Sequence, residues 1–193
     1  MSLIDRSPGS GDRARARHGL VGPPSPAEPP GGGTTLAGHC GRGSRPESLD
    51  GRGDGRDHLY GGAGDDIVKG GADDDALFGL GGDDRLSGDG GDDWIVAGEG
   101  NNRADGGSGD DRLYGGSGHD ALYGDAGDDL LLAGSGDDTL DGGSGDDYLD
   151  GGPGEDLLLG GSGNDRYRFR RGDGRDVLIE RSGHDDSVTI ADS

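Results

Sequence analysis

The sequence predicts an all-β repeat protein, a solenoid in which short strands stack along one axis. Three observations lead to this prediction. A nine-residue period runs from residue 52 to residue 168, which makes thirteen units with no insertion. An aliphatic column recurs at the eighth position of these units. Glycine and aspartate fill many of the other positions, and 48 glycines with only 27% hydrophobic residues leave too little apolar material for a conventional core.

The eighth position of each unit is expected to face the interior. Eleven of its thirteen occupants are Leu, Val or Ile, and the exceptions are Ala104 and Tyr167. Its neighbours are of mixed character, as in Arg112-Leu113-Tyr114. Alternation with a period of two turns the central side chain inward and its neighbours outward. Each unit is therefore predicted as a glycine-rich turn followed by a three-residue strand.

An Asp stands two places before all but one of these inward positions. Twelve of the thirteen are Asp, and the exception is Asn102. Two residues earlier again, twelve of thirteen are Gly, and the exception is Asp73. The cleanest units read GGAGDDIVK at 61–69, GGSGDDRLY at 106–114 and GGSGDDYLD at 142–150.

The charge of the chain limits the classes of partner. The net charge is −22, and residues 52–168 carry eight Lys+Arg against 29 Asp+Glu. An excess of acid repels phosphate backbones and anionic lipid surfaces, so no nucleic acid is expected as a partner. No stretch approaches the roughly 18 apolar residues that a transmembrane segment needs. Cations are the partners that this composition favours.

Calcium is the cation that the turns fit best. It takes six to eight hard oxygen ligands in flexible geometry, and glycine turns offer carbonyls beside the Asp carboxylates. Magnesium demands a smaller octahedral site and keeps its waters. Zinc prefers His or Cys, but the five histidines are scattered and the chain has one cysteine, Cys40.

The pattern of the columns resembles the G-G-x-G-x-D-x-U-x nonapeptide of RTX (hemolysin-type) calcium-binding repeats. Thirteen matches stand in register over about 60% of the chain. The resemblance implies a right-handed parallel β-roll in which two nonapeptides form one turn, or about six and a half turns in all. It also implies Ca²⁺ ions between successive turns, in at most about 11 sites.

The resemblance assigns the metal ligands by position in the unit. Carboxylates are expected from the sixth position, namely Asp57, Asp66, Asp75, Asp84, Asp93, Asp111, Asp120, Asp129, Asp138, Asp147, Asp156 and Asp165. Turn carbonyls are expected from the second and fourth positions, namely Gly62, Gly64, Gly107, Gly109, Gly116, Gly118, Gly134, Gly136, Gly143, Gly145, Gly152, Gly154, Gly161 and Gly163.

The units are not expected to bind equally well. Residues 106–168 form the strongest block, because the sixth position is Asp throughout, and 97–105 is the weakest unit. Four loops replace a glycine and are expected to depart from the pattern, at Asp73, Leu80, Asp89 and Asp125. The acids at the fifth position, among them Asp65 and Asp146, are interpreted as solvated neighbours of the site, and His119 in the same column as an exposed side chain.

The sequence divides into three regions. Residues 1–51 hold seven of the eight prolines and are predicted to be a disordered leader rich in Pro, Gly and Arg. Residues 52–168 are the predicted β-roll. Residues 169–193 are predicted to be a carboxyl-terminal cap and part of an export signal. Here 174–178 is interpreted as a degenerate unit displaced by two residues, and 177–179 and 188–190 as short strands.

The function predicted for the chain is calcium binding that couples folding to extracellular calcium. The resemblance implies a secreted bacterial protein, exported unfolded by machinery that reads an uncleaved carboxyl-terminal signal. The alternative is the calcium-binding tail of a larger secreted toxin, adhesin, protease or lipase. The chain has no H-E-x-x-H and no G-x-S-x-G motif, so no catalytic residue and no enzyme activity are predicted. A host or cell-surface target is left open.

Overall fold

The computed structural model describes residues 35–37 (backbone only), 45–51, 55–180 and 186–191. This part of the chain consists of strands and turns, with no helix in the described ranges. Its strands are β1 (Thr35–Ala37), β2 (Ser48–Asp50), β3 (His58–Ala63), β4 (Ile67–Ala72), β5 (Ala76–Gly81), β6 (Arg85–Gly90), β7 (Trp94–Glu99), β8 (Arg103–Ser108), β9 (Arg112–Ser117), β10 (Ala121–Ala126), β11 (Leu130–Ser135), β12 (Thr139–Ser144), β13 (Tyr148–Asp150), β14 (Leu157–Ser162), β15 (Arg166–Arg170), β16 (Val177–Ile179) and β17 (Ser187–Ala191).

The strands form two parallel sheets, and successive strands alternate between them. Odd-numbered strands make a nine-stranded sheet and even-numbered strands an eight-stranded sheet. Neighbouring strands of the repeat region pair 18 residues apart, as Leu59 pairs with Leu77. Two nonapeptides therefore form one turn of the coil. The predicted all-β, parallel β-roll is confirmed, with about eight turns where the repeat count alone gave six and a half.

The core is one seam of aliphatic side chains between the two sheets. The eighth-position side chains from Leu59 to Tyr167 are at most 1% exposed. Alternation along each strand places these side chains inward, as the period of two predicts. Leu49, Phe169 and Leu178 pack against the two ends of the seam.

The division of each unit into strand and turn differs from the prediction. Most strands span six residues, positions seven to nine of one unit and positions one to three of the next, as in β9. The turn is correspondingly limited to positions four to six. The reason is that the first half of each unit also joins the parallel ladder, since Gly116 pairs with Gly134 and Ser117 with Ser135.

The sheets begin earlier than residue 52. β1 pairs with β3 and β2 pairs with β4, so two strands lie inside the segment expected to be a leader. Glu47 occupies the place of a sixth-position residue, because its N–H donates to Asp66 Oδ1 at 2.8 Å. Gly51 occupies a first position, since its N–H donates to the Lys69 carbonyl at 2.9 Å. The first unit is therefore one residue longer than the period, while 1–34 lies outside the described residues.

The carboxyl-terminal segment continues both sheets. Leu158 pairs with Leu178, a separation of 20 residues, which confirms the degenerate unit displaced by two. β17 pairs with β15 and places Val188 beside Tyr167. Both strands predicted in this segment are therefore present.

The four loops that lack a glycine keep a positive φ at the substituted position. Asp73, Leu80, Asp89 and Asp125 have φ values of 72°, 82°, 71° and 70°. Register with the turns on either side requires this left-handed conformation, which Asp tolerates better than Leu does. These φ values are lower than those of glycines at matching positions, such as 125° at Gly116 and 119° at Gly118. The departure of these loops in calcium binding stays a prediction.

Replacing Leu80 by Gly is expected to stabilise the fold by about 1 kcal/mol, because glycine relieves the left-handed strain at the cost of some chain entropy. The Leu80 side chain is 41% exposed, so little packing is lost. Urea unfolding of calcium-loaded protein measures the change. Ile67→Gly is the matched control, because Ile67 is 42% exposed and does not have a positive φ. This substitution should destabilise the protein. Equal losses from both substitutions would contradict the prediction.

Candidate calcium-binding rows

The sixth-position side chains form two buried rows along the β-roll, one at each turn edge. All thirteen of them, from Asp57 to Asp165, are at most 4% exposed. They point inward because the sixth and eighth positions lie two residues apart and so share one face of the chain. A column of buried carboxylates is costly unless each one is hydrogen-bonded and neutralised.

One oxygen of each sixth-position side chain from Asp66 onward accepts a backbone N–H of the turn before it. Asp147 Oδ1 accepts the N–H of Asp129 at 2.9 Å, and the N–H of Asp147 donates to Asp165 Oδ1 at 3.0 Å. The same 18-residue contact recurs from Asp57 through Asp165. Each sixth-position side chain thereby links two turns.

The second carboxylate oxygen of most of these residues has no hydrogen-bond partner although it is buried. The unpartnered atoms are Oδ2 of Asp66, Asp75, Asp84, Asp93, Asp111, Asp120, Asp129, Asp138, Asp147 and Asp156. A buried anionic oxygen without a partner bears the full cost of its desolvation. These atoms are the ones that a cation would satisfy.

Burial also raises the pKa of these carboxyl groups. Desolvation is the largest cause; a backbone hydrogen bond lowers the pKa in part, and in most of them neighbouring carboxylates add a further increase. The pKa rises to about 8 for Asp93, about 7 for Asp111 and Asp147, and about 6 for Asp75, Asp84, Asp129, Asp138 and Asp156. The pKa values of Asp66, Asp120 and Asp165 are raised as well.

Glycine at the first position leaves space beside the unpartnered oxygen. A Cβ on Gly61 would lie 2.7 Å from Asp66 Oδ2 and 2.9 Å from the carbonyl oxygen of Gly79 in the next turn. A carboxylate oxygen and a carbonyl oxygen therefore border one space that a side chain would fill. The first-position carbonyls were not among the predicted ligands, and the signal for them is the near-constant glycine in that column.

The predicted second- and fourth-position glycines lie where successive turns approach most closely. Gly82 has φ of 123°, and a Cβ there would overlap the carbonyl of Gly64, 18 residues earlier. A Cβ on Gly116 would overlap the carbonyl of Gly98 in the same way. These carbonyls therefore face the gap between adjacent turns, while their part in binding an ion stays a prediction.

The fifth-position side chains form a second, outer ladder. Asp65 Oδ1 accepts the N–H of Asp83 at 3.0 Å, so these carboxylates bond to the turn that follows rather than the one before. His119 belongs to the same ladder, because its Nδ1 accepts the N–H of Asp137 at 2.9 Å. The exposed fifth-position acids thus support the stacking of turns, a role that their charge alone did not reveal.

The unit at 97–105 has a different site from the others. Asn102 keeps the ladder, since its side-chain oxygen accepts the N–H of Asp84 at 2.9 Å. Its amide Nδ2 instead donates to Asp120 Oδ1 at 3.0 Å and to the Gly100 carbonyl at 3.2 Å. An amide nitrogen is a donor and cannot ligate a cation. The stacking of this turn is retained, and one ligand is lost.

A family model matches the chain in six overlapping ranges. The model describes four copies of the RTX calcium-binding nonapeptide repeat, and the matched ranges are 52–86, 69–104, 87–122, 96–131, 105–140 and 132–167. Together these matches span more than half of the chain. The chain belongs to the RTX calcium-binding repeat family. No curated protein sequence matches it.

The residues of this RTX protein fit calcium. Buried carboxylate oxygens without partners and carbonyl oxygens beside an unfilled space are hard ligands of the kind that Ca²⁺ prefers. RTX repeats imply calcium binding by Asp-rich turns, and they are a structural, non-catalytic type of domain. In the part of the chain that the structure describes, no helix has the length and apolar character to cross a membrane.

Proposed function

We propose that the chain binds several calcium ions between the turns of its β-roll, and that this binding couples its folding to the calcium concentration around it. The single observation that supports this most strongly is the row of buried carboxylates whose second oxygen has no partner. A cation at each of these oxygens replaces the lost hydration and offsets the repulsion between stacked acids. An ion that binds only the stacked state stabilises that state by mass action.

The proposed ligands are those named from the repeat pattern. Sixth-position carboxylates from Asp57 to Asp165 supply charge, and carbonyls of the glycine turns complete the shell. Carbonyls of the first position, such as that of Gly79, are added because of the space they border. Magnesium binds such sites less well because it requires a tighter octahedral shell.

The proposed setting is outside the cell. RTX repeats are typical of secreted proteins, and extracellular calcium modules work with dissociation constants near 10⁻⁴–10⁻³ M, above cytosolic calcium. A chain that stays unfolded without calcium suits export by machinery that passes unfolded polypeptides. The second candidate, the calcium-binding tail of a larger secreted toxin, adhesin, protease or lipase, shares this chemistry and differs only in what the β-roll is attached to.

Exchanging Asp and Asn at two sixth positions tests the proposal. Asp147→Asn keeps an acceptor for the Asp129 N–H but removes the charge, and it should lose one bound ion or weaken its binding at least tenfold. Asn102→Asp makes the opposite change and should gain calcium affinity. Isothermal titration of the full chain with calcium, in excess magnesium, measures both effects.

Asp146→Asn is the matched control for this experiment. It removes the same charge from the adjacent fifth position, which is exposed and belongs to the outer ladder. Calcium binding should change little. If the wild-type chain binds no calcium at millimolar concentration, the proposal is wrong. If Asp146→Asn and Asp147→Asn weaken binding equally, general charge rather than a sixth-position ligand is responsible.

A further inference from the structure

A cluster of oxygen atoms lies at the carboxyl-terminal end of the β-roll, partly outside the nonapeptides. Asp165, Glu180 and Asp186 each offer a carboxylate oxygen, and these atoms all lie within 4.8 Å of one another. Asp165 precedes β15, Glu180 follows β16 and Asp186 precedes β17. Three elements that are separate in sequence thus place acids at one point.

A buried hydroxyl group borders the same cluster. Tyr167 is only 1% exposed, and its hydroxyl has no partner that meets hydrogen-bond geometry, although the Glu180 carboxylate lies beside it. A Cβ on Gly160 would overlap both this hydroxyl and Asp165 Oδ2, so the two oxygens lie within about 4 Å of each other. The hydroxyl is a polar group in a column that is otherwise aliphatic or alanine, and it points to a ligand at this place.

The cluster resembles a repeat site in one respect and differs in two. Asp165 N–H donates to Asp186 Oδ1 at 3.0 Å, so Asp186 stands where a sixth-position Asp would stand in the next turn. Glu180 and the Tyr167 hydroxyl have no counterpart in the nonapeptide.

We propose that Asp165, Tyr167, Glu180 and Asp186 form a terminal calcium site that fastens the last two strands to the β-roll. Three carboxylates and a neutral hydroxyl are hard oxygen ligands, and none is the nitrogen or sulfur that zinc or copper favours. Glu180 is exposed and Asp186 is half-buried, so water can fill the remaining positions of a six- to eight-ligand shell. The proposal extends calcium binding beyond the nonapeptides and can fail independently of the repeat sites.

Calcium stoichiometry of the full chain tests this site. Equilibrium dialysis against calcium is expected to show that Glu180→Gln binds one ion fewer than the wild-type chain. Tyr167→Phe keeps the ring in the core and should weaken that one ion about tenfold or more. Glu99→Gln is the control, since Glu99 is an exposed acid at the third position of a repeat and its loss should leave stoichiometry and affinity unchanged.

The outcomes separate this site from the repeat sites. If Glu180→Gln and Tyr167→Phe bind as many ions as the wild type, with the same affinities, there is no terminal site. Asp147→Asn tests the repeat sites in the same assay. If Asp147→Asn loses an ion and Glu180→Gln binds as many ions as the wild type, the terminal site alone is overturned. Loss of one ion in Glu180→Gln beside an unchanged Asp147→Asn would support the terminal site and contradict the repeat ligands.

Discussion

Removing calcium at about pH 8 is expected to abolish most of the β-sheet circular dichroism of the chain, and restoring it to millimolar concentration is expected to return the signal cooperatively. The repeat region carries 29 acids against eight basic residues. Ten of its buried sixth-position carboxylates leave one oxygen without a partner. The aliphatic seam is one side chain wide per unit, so it opposes this electrostatic cost only weakly.

The size of the calcium effect follows from mass action. Each site at millimolar calcium, about 10 times a dissociation constant near 10⁻⁴ M, adds about 1.4 kcal/mol to the free energy of unfolding. Several sites acting together are comparable with the 5–15 kcal/mol net stability typical of a domain, so folding becomes conditional on the ion. Because neighbouring turns stabilise one another, the titration should be steep.

Magnesium is the control for the calcium titration. At equal concentration it should restore little β-structure, because it keeps its hydration shell and tolerates only octahedral geometry. A full β-sheet spectrum in calcium-free buffer at about pH 8 would falsify the coupling of folding to calcium. It would mean that ladder hydrogen bonds and the aliphatic seam hold the turns together without help.

The regular part of the fold could be predicted from the sequence because it depends on a strict period. Alternation along the strand places Leu113 inward and Asp111 inward with it, and both are buried as expected. The ends could not be predicted in this way. Glu47 and Gly51 take sixth and first positions, but an added residue breaks the period between them and the repeats. Pairing with β4 fixes that register, and pairing depends on tertiary contacts.

The details of the site depended on contacts between turns, which a one-dimensional pattern does not contain. The pattern marks Leu80 as a defect, yet stacking against the turns on either side holds it at φ of 82°. The opposite direction of the inner and outer hydrogen-bond ladders, seen at Asp147 and Asp65, is likewise a property of stacked turns. The carbonyl of Gly79 approaches Asp66 only because 18 residues complete one turn of the coil.

Lowering the pH from about 8 to about 5 in the absence of calcium is expected to increase the β-structure of the chain. Burial raises the pKa of Asp93 to about 8 and that of Asp147 to about 7, above the usual value of 3.8. Between those values the folded state binds more protons than the unfolded state, so its stability rises as pH falls. This stabilisation is complete below about pH 4 and is lost as pH rises through the raised pKa values, at about pH 6 to 8.

Circular dichroism of calcium-free protein measures this effect. The calcium is removed by chromatography, because common chelators release calcium at low pH. Comparing Asp93→Asn with Asp92→Asn separates the effect of a buried carboxyl group on the pH dependence from the effect of overall charge. Asn at position 93 keeps an acceptor for the Asp75 N–H and removes the buried charge, so this variant should be more ordered than the wild type at about pH 8 and depend less on pH. Asp92 is exposed, and its replacement removes an equal charge without removing a buried one.

If the two variants shift the transition equally, the pH dependence reflects the relief of long-range repulsion and not protonation of the buried row. If the calcium-free chain unfolds further as pH falls, the sixth-position carboxyl groups are ionised and paired in the folded state, which contradicts their raised pKa values. With calcium present the dependence should reverse, because protons and calcium compete for the same oxygens. The same sixth-position carboxylates would then explain both dependences, since a proton and a calcium ion each satisfy the oxygen that the fold leaves without a partner.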